Sequence, residues 1–163
     1  MTGSEPPVTA PPRATPRYGL MAAVAAVVIA VDQATKSWAV ANLRDREVHL
    51  FWTFELDLAL NPGLAFSQGT GLTGLITVVG VVLVAGLVWW SRGVTGPLMA
   101  TGTALLLGGA CGNLSDRLFR DHGGAVVDFI DPQWWPVFNV ADIAVFCGAG
   151  LLILSSLREP TTP

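Results

Sequence analysis

The sequence predicts a helical membrane protein, a bundle of four transmembrane helices with a small β-sheet between the first and the second. Three observations predict it. Hydrophobic residues make up 52% of the 163 residues and charged ones only 13%, whereas soluble domains carry about 25% charged residues. Several stretches are long and apolar enough to cross roughly 30 Å of hydrocarbon as helices. Between the first two of them, apolar residues recur at every second position, the period of a strand. The length allows one compact domain.

Met1 to Pro16 is rich in Pro, Thr and Ala. With no apolar face to bury, residues 1–17 read as a disordered tail, and they lack the order of regions that marks a secretory signal. Residues 18–157 form the membrane domain, with the sheet at about 45–68, and residues 158–163 a C-terminal tail. The first span runs from Tyr18 to about Leu43. Its second half holds Asp32 and Lys36, four apart and so on one helix face, where they can pair. Val48, Leu50, Trp52, Phe54, Leu56, Leu58 and Leu60 then alternate with residues that include His49, Thr53, Glu55 and Asp57. This run is long for one strand and predicts a small twisted sheet. The turn Asn61-Pro62-Gly63 ends it, and Leu64-Ala65-Phe66 comes next as a candidate cavity lining.

Gly69 to Trp90 is an uncharged second span closed by Trp89 and Trp90, as interfacial tryptophans close spans. Ser91-Arg92-Gly93 makes a tight connector. The third span, Gly93 to Leu114, is dotted with Gly and Ala, which permit close helix contact. The fourth runs from Phe138 to Leu157. Four spans place both termini on one side. Counting Lys and Arg does not settle which, because Lys36 and Arg117 on the other side could be held there by pairing.

The composition also excludes classes of function. A net charge of −3 argues against a nucleic-acid partner. Cys111 and Cys147 each sit in an apolar run and read as small buried residues rather than a disulfide or metal site. No His, Cys and carboxylate cluster has metal-ligand spacing, so no metal or cofactor is expected.

The chemistry is concentrated in Gly108 to Asp142, which holds Asp116, Asp121, Asp128, Asp131 and Asp142 between apolar runs. Ionised groups near hydrocarbon are costly unless paired or wet, so a polar knot here needs a reason. An aspartic protease dyad of Asp128 and Asp142 supplies one. On one continuous helix the two would stand about 21 Å apart, but Pro132 and Pro136 break the helix and let the chain double back. Two close carboxylates share a proton. One can then take a proton from water while the other gives one to the substrate carbonyl. The helix start favours the charged form of Asp142, and burial favours the protonated form of its partner. Spacing alone does not pick these two from the five. Asp116 and Arg117 also read as an end-of-helix pair, and Asp131 as a turn residue before proline.

Five motifs in order carry a more specific signal. They are Asp32-Gln33-Ala34-Thr35-Lys36, Asn61-Pro62-Gly63-Leu64-Ala65-Phe66, the run Gly108 to Arg117, Val127-Asp128-Phe129-Ile130-Asp131, and Trp135 to Asp142. With them the chain, from about Tyr18 to Leu157, resembles the bacterial lipoprotein signal peptidases (signal peptidase II). It departs from the family pattern at Ile143, where serine is common, and at Leu64, where a smaller residue is common. The resemblance implies an aspartic endopeptidase that removes the signal peptide from diacylglyceryl-modified prolipoproteins by cutting before the lipid-bearing cysteine. It places the catalytic pair on Asp128 and Asp142, and substrate-binding roles on Asn61, Asn113, Arg117 and Asn139. Asp32, Lys36 and Asp116 fall on site-supporting positions. It further implies a multi-pass protein of the bacterial inner membrane with both termini cytoplasmic, and an extracytoplasmic sheet. The active site would lie near the outer leaflet, and the partners would be prolipoprotein substrates and membrane lipids. A monomer is expected. A greasy sheet face at Trp52 and Phe54 could clamp the lipidated segment. The rivals are an ion-coupled transporter, disfavoured because the charges cluster at one membrane edge, and a non-enzymatic bundle whose polar cluster binds partners.

Overall fold

A computed structural model describes residues 15–63 and 71–158, and these residues hold four helices and three strands. The elements run α1 (Tyr18–Asn42), β1 (Val48–Phe51), β2 (Phe54–Asn61), α2 (Thr73–Ser91), α3 (Pro97–Phe119), β3 (Val126–Asp131) and α4 (Val140–Arg158). The expected readings of the N-terminal tail, of Leu64-Ala65-Phe66 and of the last residues lie outside the described residues, apart from residues 15–17 and Arg158.

Three helices, α1, α2 and α4, are long and apolar enough to cross a membrane; α3 does not join them by that measure. Its sequence explains why. It spends its length on Gly, Ala and Thr and ends on Asn113, Asp116 and Arg117. Those small residues make α3 the hub that packs against α1, α2 and α4. A Cβ on Gly108 would stand 2.7 Å from Val28 Cβ of α1, and one on Gly102 3.0 Å from the Gly148 carbonyl of α4. The large side chains face outward instead. On α2, Leu75, Val78, Val82 and Leu83 are each about 60% exposed, which suits a lipid-facing surface and no aqueous one.

The alternating run is a hairpin rather than one ribbon. β1 and β2 pair antiparallel with Val48 opposite Leu56 and Phe51 opposite Phe54. Trp52 lies in the turn with φ 51°, a left-handed conformation uncommon outside Gly, Asn and Asp, and its side chain is exposed. The sheet also gains a strand that periodicity did not predict. β3, from the connector between α3 and α4, pairs antiparallel with β2, Asn61 opposite Val126 and Ala59 opposite Asp128. The sheet is thus not confined to the segment between the first two helices. Phe129 joins Ala39 and Leu43 in a buried apolar cluster, against which Val48, Leu56, Leu58, Ile130 and Val140 pack. That cluster fixes the sheet over the C-terminal end of α1. A second cluster of Met21, Val94, Ala100 and Ala104 closes the opposite end of the bundle.

Candidate active site

β3 ends in a reversal that decides the geometry. Gln133 adopts φ 68°, and its backbone N–H donates to Asp131 Oδ1 at 2.7 Å. The chain then returns alongside itself. Phe138 N donates to the Ile130 carbonyl at 3.0 Å, and its own carbonyl accepts from the N–H groups of Phe129 and Ile130. Phe138 is thereby held beside Ile130, and α4 starts next to the strand that carries Asp128. The doubling back expected from the prolines occurs, with Pro132 buried beneath it.

Asn139 opens α4 as its cap. Its Oδ1 accepts from Asp142 N at 3.0 Å, and Asp142 Oδ2 accepts from Asn139 N at 3.1 Å. This is a reciprocal capping box with aspartate in the third helical position. The same Asn139 donates through Nδ2 to Asp128 Oδ1 at 2.6 Å. One residue therefore ties both aspartates together. The other oxygen of each is also occupied. Asn61 Nδ2 donates to Asp128 Oδ2 at 3.1 Å, and Asn113 Nδ2 donates to Asp142 Oδ1 at 2.8 Å. Asp128 is nearly fully buried. Burial pushes its carboxyl up, the neighbouring Asp142 charge adds to that, and the amide hydrogen bonds only partly oppose it, leaving it at about 6. Two acids so placed hold one proton between them more readily than none.

Behind the pair lies a fully buried ion cluster. Lys36 Nζ stands 2.9 Å from Asp32 Oδ2, 3.1 Å from Asp116 Oδ2 and 2.8 Å from Asn113 Oδ1, so all three ammonium protons have acceptors. The helix pair expected of Asp32 and Lys36 is present. Both carboxylates also reach forward. Asp32 Oδ1 accepts from Ala141 N at 2.9 Å, and Asp116 Oδ2 accepts from Val127 N at 3.0 Å. Each supporting aspartate thus pins the backbone next to one member of the pair. Asp116 pairs with Lys36 and Arg120 rather than with Arg117.

Arg117 points to backbone carbonyls. It donates to Gly124 O at 2.9 Å, to Pro62 O at 3.5 Å and to Gly63 O. Thr73 Oγ1 holds the Pro62 carbonyl from the other side at 3.1 Å. Arg117 therefore gathers the end of β2, where Asn61 sits, and the turn before β3. Gln33 and Arg120 escaped the sequence reading. Gln33 Nε2 donates to Asp32, Asp116 and the Gly112 carbonyl, and Arg120 donates to Asp116 and to Gln33. The spacing of Arg120 four residues after Asp116 was the available signal.

A cavity of about 350 Å³ opens on the pair, lined on its polar side by Asn61, Asn113, Arg117, Asp128 and Asp142. Trp135, Phe138 and Asp142 also border a second, apolar groove of about 540 Å³ formed with Phe54, Trp134, Ile143 and Phe146. Among the described residues, no three His, Cys, Asp or Glu side chains converge on a metal-sized site. The structure thus brings all nine sequence-predicted site residues into one connected constellation at one end of the bundle.

Apolar helices, a small sheet and a cavity bordered by two bridged carboxylates define a membrane protein with a paired-carboxylate site. Residues 24–158 match the family described as signal peptidase (SPase) II, and the chain belongs to that family. A protein of Rhodococcus jostii (strain RHA1) named lipoprotein signal peptidase is 47% identical over 161 residues, covering 96% of this chain and 80% of the relative. One of Mycobacterium avium (strain 104) with the same name is 43% identical, covering 96% and 87%. A solved bacterial membrane enzyme superposes with a TM-score of 0.78 at 25% identity, covering 89% of this chain and 97% of the other. A second has a TM-score of 0.79 at 24% identity, covering 93% and 99%.

Proposed function

We propose that this chain is an aspartic endopeptidase that removes the signal peptide from diacylglyceryl-modified prolipoproteins, cutting before the lipid-bearing cysteine. The observation that carries the reading is the Asn139 bridge, which holds two aspartates from different elements at the border of one cavity in a member of the signal peptidase II family. The names of the relatives supply the substrate class.

In this account Asp142 is the base. Two amide hydrogen bonds and the start of α4 offset part of the cost that burial puts on its carboxylate. Asp128 is the acid: its carboxyl, raised to about 6, still holds the shared proton in a fraction of the molecules near neutral pH. Asp142 takes a proton from water as the water oxygen bonds to the peptide carbon, and Asp128 gives its proton to the carbonyl oxygen. The resulting diol returns a proton to Asp128 while Asp142 protonates the leaving nitrogen and the C–N bond breaks. The pair ends as it began. Asn61, Asn113 and Asn139, which hold the acids, then also hold the substrate backbone, together with Arg117.

The apolar groove that borders Asp142 is offered as the seat of the lipid part. Phe54 lines that groove, whereas Trp52 is in the exposed turn, so within the clamp hypothesis Phe54 is the stronger member. For orientation, α1 begins beside the α2–α3 connector, where Arg17 Nε donates to Thr95 O. That end also carries Arg92 and, at the end of α4, Arg158. At the sheet end Lys36, Arg117 and Arg120 are engaged internally. Discounting them favours cytoplasmic termini and a site at the outer leaflet of the inner membrane, with α3 as the fourth span and the protein working as a monomer.

The test is purified protein in detergent with a diacylglyceryl-modified prolipoprotein peptide and its unmodified twin, the products read by mass spectrometry. The reading expects two fragments, the second beginning at the lipidated cysteine, and little cleavage of the twin. A cut elsewhere, or equal cleavage of both, refutes it.

A further inference from the structure

An asparagine amide is nearly symmetric in shape, and its neighbours decide which end is oxygen. In this site the decision matters twice. Asn113 must turn its NH2 toward Asp142, and Asn139 must turn its NH2 toward Asp128 and its oxygen toward the start of α4. Carboxylates only accept, so an amide oxygen facing either aspartate would set two acceptors against each other.

We propose that Lys36 is a positioning residue of the peptidase site, which fixes the direction of the Asn113 amide and, through it, supports that of Asn139. The reading rests on the dyad proposed above. An ammonium has donors and no acceptor. Lys36 Nζ at 2.8 Å therefore assigns Asn113 Oδ1 to its own side, and leaves Asn113 Nδ2 to donate to Asp142 Oδ1 at 2.8 Å. The same Oδ1 accepts from Asn139 Nδ2 at 3.1 Å. That joins Asp128 Oδ1 at 2.6 Å and the Val127 carbonyl at 3.3 Å in turning the Asn139 NH2 to their side, with its Oδ1 left to Asp142 N. One cation thus sets the amide donor that faces Asp142 and braces the one that faces Asp128. Without it, Asn113 is free to turn its NH2 back toward Asp32 and Asp116, whose carboxylates flank Lys36 at 2.9 and 3.1 Å. Asp142 would then face an oxygen. Lys36 is fully buried and does not border the cavity, so it acts on the reaction only through these amides.

Removing Lys36 alone leaves two buried carboxylates short of a cation, so the test uses a charge-balanced pair, Asp32→Asn with Lys36→Met. Asparagine at 32 keeps an oxygen for Ala141 N. The second arm is Asn113→Leu, and the third combines both changes. Folding is checked by thermal unfolding, and kcat and KM are measured on the lipidated peptide. Each arm is expected to lower kcat about 100-fold, the scale of one positioned acid–base interaction, with KM within about threefold. The combination is expected to be no worse than about threefold below the slower single arm, because both act through one amide. Multiplied losses of about 10,000-fold, or wild-type kcat in the charge-balanced variant, overturn the inference. Should that variant not fold, Asn113→Asp decides. It keeps an oxygen for Lys36 but offers none of the N–H groups that Asp142 needs, so it is expected to fold and lose cleavage; near-normal kcat overturns the inference. Activity in Asp128→Asn would instead sink the dyad itself, so the two failures are distinguishable.

Discussion

Asp128→Asn is expected to make the protein more stable at neutral pH while it removes cleavage. Asp128 is 3% exposed and its carboxyl is held at about 6 rather than the ordinary 3.8. At about 1.4 kcal/mol per pH unit, ionising it in the fold costs about 3 kcal/mol more than ionising it in the unfolded chain. The sign comes from the direction of the shift. A raised acid leaves the fold unpenalised below about pH 4. The penalty grows as pH rises from there and is complete above about pH 6. Asparagine carries no such penalty. It keeps an oxygen for Asn139 but turns its NH2 toward Asn61 Nδ2, losing that hydrogen bond, which costs about 1 kcal/mol. The net gain is about 2 kcal/mol at pH 8, or roughly 4–8 °C in Tm for a chain of this length. Unfolding in detergent, monitored by tryptophan fluorescence, reads it. The gain should vanish by about pH 4. A variant less stable than wild type at pH 8, or a gain independent of pH, refutes the claim that burial strains this acid.

Three further outcomes are expected from the packing. Gly112→Ala would place a Cβ 2.6 Å from Asp32 Oδ2, pushing that carboxylate off Lys36 and Ala141 N. A broken buried pair costs about 3–5 kcal/mol, so thermal unfolding should drop sharply. Asn139→Ser keeps a cap for α4 but cannot reach Asp128. Stability should fall by about 2–3 kcal/mol, the scale of losing the buried Nδ2 bonds to Asp128, Asn113 and Val127, while cleavage is lost; Asn139→Ala should fall further by the lost cap, about 1 kcal/mol. Arg117→Lys keeps the charge but not the fork that spans Pro62, Gly63 and Gly124. It should cut kcat/KM about tenfold or more in steady-state assays.

Much of the fold was legible because its signals are local. Uncharged runs announced the helices, and the tight connector Ser91-Arg92-Gly93 their antiparallel order. The four-residue spacing of Asp32 and Lys36 gave their ion pair directly. The features that escaped are partly non-local. β3 is six residues long and buried through its first four, so it shows no alternation, and only its pairing with β2 makes it a strand. The alternating run concealed its own turn because Trp52 kept the apolar period through a left-handed residue. The start of α3 was set four residues too early, since Gly93 to Gly96 carries no charge to separate it from the helix proper; Pro97 marks the true first turn. At the site, proline positions said that the chain could double back, but not which aspartates would meet. The choice of Asp128 and Asp142 came from motifs resembling a family. The helix start near Asp142 was read from the sequence, but the capping box it forms with Asn139 three residues earlier was not, although the spacing was there to read.

The most direct test of the two-aspartate account is cleavage of a diacylglyceryl-modified prolipoprotein by Asp128→Asn and Asp142→Asn, each purified in detergent and shown to fold and to bind the peptide. The account predicts that both variants bind and neither cuts, because each carboxylate has its own proton to move. Near-normal turnover by either one would contradict it and turn attention to Asp116.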